Sequence, residues 1–240
     1  MSRSNPTTQS NNPVKRWFSF SGKDGIFTYW DKDEEVKKEL PYPINFLVLD
    51  QLATITGWSE QALSNVYSNE VHNINKEKFT VKSWKGSGNI AEGLYKEIKT
   101  ELAAKGLKFT QSIYIVMKID EEYQLCNIKL KGAAFGAWLE FEKNFSAYKG
   151  AISVSETVDG KKGAIEYKMP KFIFKKDVSE EAEKIAIIYD QQLQKYFSER
   201  DSEATNDVVS GLEEKFNKAM YYNANLPPEE NKSEKDDLPF

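Results

Sequence analysis

Three stretches of the chain carry residues whose types and spacing could do chemistry. The first, "GSGNIA" from Gly86 to Ala91, fits the G-x-G-x-x-G/A pattern of a dinucleotide-binding loop. That chemistry needs a first strand buried on both faces, and the preceding "FTVKSWK" instead alternates Phe79 and Val81 with Thr80, Lys82 and Trp84. It also needs an acidic residue about twenty positions after the loop, where the chain reads "FTQSIYIV". A nucleotide cofactor is not expected, although a loop of this kind at a helix N-terminus could still serve a phosphate. The second stretch is the acidic run Asp31, Asp33, Glu34 and Glu35, whose oxygens suit a hard cation such as magnesium. Interleaved with Lys32, Lys37 and Lys38, it reads instead as a solvated loop. The third is "NEVHN", which holds the only histidine, His72, with no motif around it to activate a nucleophile; it reads as an ordinary strand residue. The single cysteine, Cys126, can form no internal disulfide and with His72 leaves too few soft ligands for zinc. It reads as a small, reduced, inert strand residue, and the chain is expected to be non-enzymatic, with no cofactor and no metal.

The positive signal is aromatic residues interleaved with basic ones on strands. Unpaired bases need π-faces to stack on, and the phosphates between them need Lys or Arg alongside. In "FTVKSWK", turning Phe79 and Val81 inward turns Lys82 and Trp84 outward, two residues apart on one face. In "VKRWFSFS", Lys15 and Arg16 precede Trp17; Tyr29, Trp30, Trp58, Tyr67 and Lys85 complete the candidate set. Phe18, Phe20 and Phe79 are assigned to the core, where strand aromatics usually belong.

These residues need a scaffold of strands. "VKRWFSFS", the turn "GKDG" and "IFTYW" read as a hairpin. "INFLVLDQLATITGW" is long enough for a bent strand, and "YSNEVHNI" and "FTVKSWK" follow as β-rich segments. Ile90, Leu94, Ile98 and Leu102, at a spacing of four, predict an amphipathic helix over 89–106 with Asn89 as N-cap and Gly106 as stop. "LKFTQSIYIVMKI" and "YQLCNIKLKG" form a hairpin across "DEE"; a short helix is expected over "AAFGAWLEFEKNF", a second hairpin around Asp159-Gly160, and a helix over "SEEAEKIAIIYDQQLQKYFSE". The fold class is mainly β with helices (α+β): an OB-fold-like antiparallel Greek-key barrel with a helix between strands and a C-terminal helical extension. The expected division is a disordered tail over 1–13, the barrel domain over 14–176, the helical extension over 177–222, and a disordered acidic tail over 223–240.

Composition sets the limits. In 240 residues, 40% apolar content suffices for a packed core. The polar start lacks a secretory signal, and the longest apolar region, "PINFLVLDQLATI", is too short to span a bilayer, which implies a cytoplasmic protein with no membrane contact. The net charge of −4 conceals an asymmetry: residues 1–176 carry 26 Lys+Arg against 21 Asp+Glu, and residues 177–240 carry 7 against 16. A basic body with an acidic tail suits nucleic-acid contact and a tail that competes for the same surface.

The ending "DDLPF" then becomes informative. Asp236, Asp237, Leu238, Pro239 and Phe240 resemble the acidic tip of bacterial and bacteriophage single-stranded DNA-binding proteins. "KRWFSFSGKDGIFTYW" and "FLVLDQLATITGW" are similar to phage-type members. The resemblance implies an OB-fold that coats single-stranded DNA during replication, recombination and repair. It also implies a tip that recruits proteins of those processes, in the bacterial host cytoplasm if the chain is phage-encoded, and a possible homo-oligomer. The chain departs from housekeeping members in its larger body and short linker, in Leu238 where Ile is common, and in Lys235 within the tip. Two other readings stay open: a strand-annealing or recombination-mediator protein, and a nucleotide-dependent enzyme using Gly86 and Gly88.

Overall fold

The strands form where β-branched and aromatic residues alternate with polar ones, and their order decides which faces meet. The computed structural model describes residues 12–85 and 88–200. The chain divides into two units, residues 1–193 and 194–240. In the first, the strands are β1 (Arg16–Ser21), β2 (Ile26–Asp31), β3 (Val36–Leu40), β4 (Ile44–Ser59), β5 (Ser64–Ser68), β6 (Phe79–Ser83), β7 (Asn89–Gly93), β8 (Lys108–Ile119), β9 (Glu122–Lys131), β10 (Ala151–Lys162) and β11 (Ile165–Lys175). The helices are α1 (Tyr95–Ala104) and α2 (Gly132–Asn144), with a third, α3, beginning at residue 180 and running through 193. In the second unit, residues 194–200 are helical. The protein is mainly β with a few helices, an α+β chain. Among the described residues, no helix is long and apolar enough to cross a membrane.

The sheet runs in the order β3-β2-β1-β9-β8-β4-β5-β6-β7, with the β10–β11 hairpin attached to the start of β4. The order is open, and it is mixed: β1 lies parallel to β9, with Trp17 opposite Asn127 and Ser19 opposite Lys129. This corrects the all-antiparallel expectation. Parallel neighbours cannot be joined by a tight turn, and here β2 to β8 all lie between the two strands in sequence, so no local signal announces the pairing.

Two apolar clusters result. The first, around Phe18, Phe46, Ile113, Ile115, Ile128 and Trp138, packs α2 against one face of the sheet. The second, around Ile55, Phe79, Val81, Ile98 and Leu102, packs α1 beneath β4 to β7.

Three local expectations are corrected and one is extended. The helix predicted from Asn89 starts only at Tyr95, because 89–93 extends the ladder as β7, with Ala91 opposite Val81. Glu97 fixes the true start by accepting the Leu94 N–H at 3.0 Å. The predicted stop holds: Gly106 takes φ +70°, its N–H donates to the Ala103 carbonyl, and that of Leu107 donates to the Leu102 carbonyl. Secondly, residues 32–35 of the acidic run form the exposed turn expected of them, and a strand with no counterpart in the sequence reading, β3, follows. The Asp31 carboxylate accepts the Asp33 and Glu34 N–H groups, and the Lys38 hydrogen bond, the largest influence, helps hold its pKa below the ordinary value. Thirdly, only the first part of "YSNEVHNI" is strand, within β5; Val71 makes an isolated bridge to Ala53, and exposed His72 sits 3.1 Å from the Asp50 carboxylate. Fourthly, the second hairpin turns at Gly163, φ +61°, and not at Asp159-Gly160, which lies in the ladder with Gly160 opposite Tyr167.

Candidate nucleic-acid interface

The groove face of the sheet is defined by what the core takes. On β1, burial of Phe18 turns Trp17 and Ser19 the other way. On β9, burial of Cys126, Ile128 and Leu130 in the first cluster turns Asn127, Lys129 and Lys131 to that same opposite face. The outward residues of β1, β9, β8, β4 and β5, with Trp84 just after β6, line one groove of about 670 Å³.

Aromatic rings form its two walls. On one side Trp17 meets Tyr114 edge-on, with centroids 6.3 Å apart, and the Lys129 ammonium lies 5.0 Å from the Trp17 centroid. Burial holds the Lys129 pKa below the ordinary lysine value; Glu70 opposes this and the like charge of Lys131 adds to it. On the other side Tyr67 and Trp84 lie 5.2 Å apart at a tilt of 51°, with Trp58 beside them at 47% exposure. The Trp84 N–H donates to the Asn65 carbonyl at 3.0 Å, which anchors the chain where β6 ends. Trp84 is 74% exposed, so its ring is held at the surface with most of its area open.

Between the walls the lining is polar and basic. Thr56 and Thr110 share a hydroxyl hydrogen bond of 2.7 Å, and in register Lys108 stands opposite Thr56 and Lys131 opposite Thr110. A surface that alternates π-faces with ammonium groups can stack unpaired bases and neutralise the phosphates between them. Sequence-independent affinity of that kind needs no base-edge contacts.

Of the residues predicted from sequence, Trp17, Trp58, Tyr67 and Trp84 come together in this groove. Lys82 sits outside its lining but opposite Tyr67 in register, on the exposed side of β6. Trp30 lies on the same face of β2 as Thr28, which pairs with Ser19, and is exposed beyond the groove. Four others go elsewhere. Arg16 and Tyr29 turn to the core side, where the guanidinium covers the Tyr29 ring at 5.2 Å and donates to Gln124 at 2.8 Å. Lys15 lines a separate cleft with Tyr123 and Tyr189, and Lys85 another with Gly88 and Lys105. Gly86 and the tip residues Asp236, Asp237, Leu238, Pro239 and Phe240 lie outside the described residues.

Sequence reasoning missed Lys108, Lys129, Lys131, Thr56 and Thr110. The signal for two of them was present: in "CNIKLK", assigning Cys126, Ile128 and Leu130 to the core forces Lys129 and Lys131 to the opposite face.

Comparison of the chain with protein-family models, with curated proteins and with solved structures returned no match.

Proposed function

We propose that this protein binds single-stranded DNA without a required sequence, coating and protecting exposed strands, and that it is not an enzyme. The observation that carries the reading is the groove in which Trp17, Trp58, Tyr67 and Trp84 flank Lys108, Lys129 and Lys131. The strand path β9-β8-β4-β5-β6, with α1 between β7 and β8, supports an OB-fold-like core, a fold that binds oligonucleotides. In this reading β1 adds to the outer edge of β9 and widens the groove.

The tip from Asp236 to Phe240 serves as a ligand for replication, recombination and repair proteins: an apolar pocket takes Phe240 and a basic rim takes the aspartates. The setting is the cytoplasm, that of a bacterial host if the chain is phage-encoded.

The test is a tryptophan-fluorescence titration with oligothymidine at several salt concentrations. Strong quenching is expected, with affinity that falls steeply as salt rises because phosphate contacts release counterions. An absence of quenching, or binding indifferent to salt, sinks the reading. For the tip, removal of residues 229–240 should abolish partner recruitment and tighten DNA binding at low salt.

A further inference from the structure

The polar side chains beneath Trp17 form a chain of hydrogen bonds with a fixed direction. Tyr114 donates its hydroxyl to Glu70 Oε2 at 2.5 Å, and Ser112 donates to Glu70 Oε1 at 2.6 Å. A carboxylate can only accept, so the single hydroxyl hydrogen of Ser112 is committed to Glu70. Ser112 Oγ can then only accept from Asn127, whose amide nitrogen lies 2.8 Å away. This fixes the orientation of the amide, with Nδ2 toward Ser112 and Oδ1 turned away from it. Asn127 is fully buried, and among the described residues its Oδ1 has no hydrogen-bond partner. Such an atom is costly to keep, and native proteins rarely keep one without a use. What is left over is necessarily an acceptor.

Its position ties it to the groove. Asn127 stands opposite Trp17 on β1 and opposite Tyr114 on β8, so the edge contact between those two rings passes over it. Trp17 and Lys129, on either side, both line the groove.

We propose that Asn127 Oδ1 is the acceptor of a base-reading subsite under Trp17 that takes an amino-bearing base, such as cytosine, in preference to uracil or thymine. The inference rests on the single-stranded DNA reading and adds a local preference to it. Cytosine and uracil have the same ring size and differ on one edge: cytosine presents an amino donor at position 4 beside a ring acceptor at position 3, uracil a carbonyl acceptor at position 4 beside a ring N–H donor at position 3, and the subsite reads the outermost group, at position 4. The amino group satisfies Oδ1. The carbonyl would face an acceptor with the Glu70 carboxylate behind it. Entry requires Trp17 to swing off Tyr114, after which its indole covers the inserted base.

The experiment compares oligodeoxycytidine with oligodeoxyuridine of equal length, at one salt concentration, by fluorescence titration of the full chain. The deoxycytidine strand is expected to bind about three- to tenfold tighter, the range that one hydrogen bond supplies. In Asn127→Leu, nearly isosteric, the ratio should fall to about one. Because that variant could fail to fold, the wild type is also titrated with 5-methyldeoxycytidine and thymidine strands, which again differ at position 4; their ratio should agree with the first. Equal binding of the members of either pair overturns the subsite while leaving the groove intact, and so does a ratio that survives in Asn127→Leu. Failure of every strand to bind overturns the DNA-binding reading and the subsite with it.

Discussion

The ammonium of Lys129 stands 5.0 Å from the centroid of the Trp17 ring, so a cation and a stacking surface are joined in one unit at the inner wall of the groove. The pair exists because β1 lies parallel to β9, in a register that places Trp17 opposite Asn127 and Ser19 opposite Lys129. The groove therefore depends on a contact between the beginning and the middle of the chain. Cation–π contact contributes most when the cation is desolvated, as this one is.

Lys129 should make DNA binding unusually sensitive to alkaline pH. Its folded pKa is held below the ordinary lysine value, chiefly by burial. Rising pH thus removes its charge before that of solvated lysines, and affinity for oligothymidine should begin to fall below the usual lysine range. Folding responds with the opposite sign. Between the lowered folded pKa and the ordinary unfolded one, the unfolded chain binds the extra proton, so stability rises with pH in that window. Lys129→Arg, charged at all these pH values, should flatten the binding profile. An unaltered profile in the arginine variant would remove Lys129 from the DNA contact.

Tyr67 and Trp84 should be non-additive. Each ring offers a stacking surface, and alanine at either should weaken single-stranded DNA binding by about 1–3 kcal/mol. Because the rings touch at 5.2 Å, the double variant should lose less than the sum of the two. Lys15→Ala, in its separate cleft, should change little beyond the general charge effect. Titrations of the wild type and the four variants at fixed salt decide this, and full additivity would show that the two rings act on separate bases.

The parts of this arrangement that could be read from the sequence are those set by alternation within one strand. Phe79 and Val81 are buried and Lys82 and Trp84 exposed, as the period of two in "FTVKSWK" requires. Alternation could not say which exposed residues share a groove, since Trp17 is brought to the groove that Trp84 also lines through a parallel pairing with no turn to announce it. Arg16 and Tyr29 were misplaced because a basic residue beside an aromatic looks the same in sequence whether it faces solvent or lies on the ring, as it does here. The spacing of Ile90, Leu94, Ile98 and Leu102 fits a helix throughout, yet pairing with β6 claims residues 89–93 for the sheet. Tertiary pairing outweighs a four-residue period at a helix end.

Cys126 should be silent in the native protein. It is fully buried on β9, and burial pushes its thiol pKa up to about 12. The thiolate is the reactive form, so an aromatic disulfide reagent should label Cys126 only as fast as the sheet opens. Labelling rates should follow global unfolding across a denaturant series. Rapid labelling in buffer would mean that β9 separates from β1 or β8 without global unfolding, and would weaken the case for a preformed groove.

The five tryptophans should respond to DNA as three populations, with Trp30, exposed beyond the groove, left for iodide to quench. Trp17, Trp58 and Trp84 line the groove and should be quenched as it fills. Trp138 is fully buried in the first cluster, meets Phe172 edge-on at 4.9 Å and donates its indole N–H to Gln51 at 2.9 Å. Neither a base nor iodide can reach it. Saturating oligonucleotide should therefore leave a blue-shifted residual emission that iodide does not touch. Trp138→Phe should abolish that residual and leave the midpoint of the titration unchanged, because α2 lies behind the sheet, away from the groove face. Loss of all emission at saturation would place Trp138 within reach of DNA, and a shifted midpoint in the variant would mean that the core behind the sheet sets the shape of the groove.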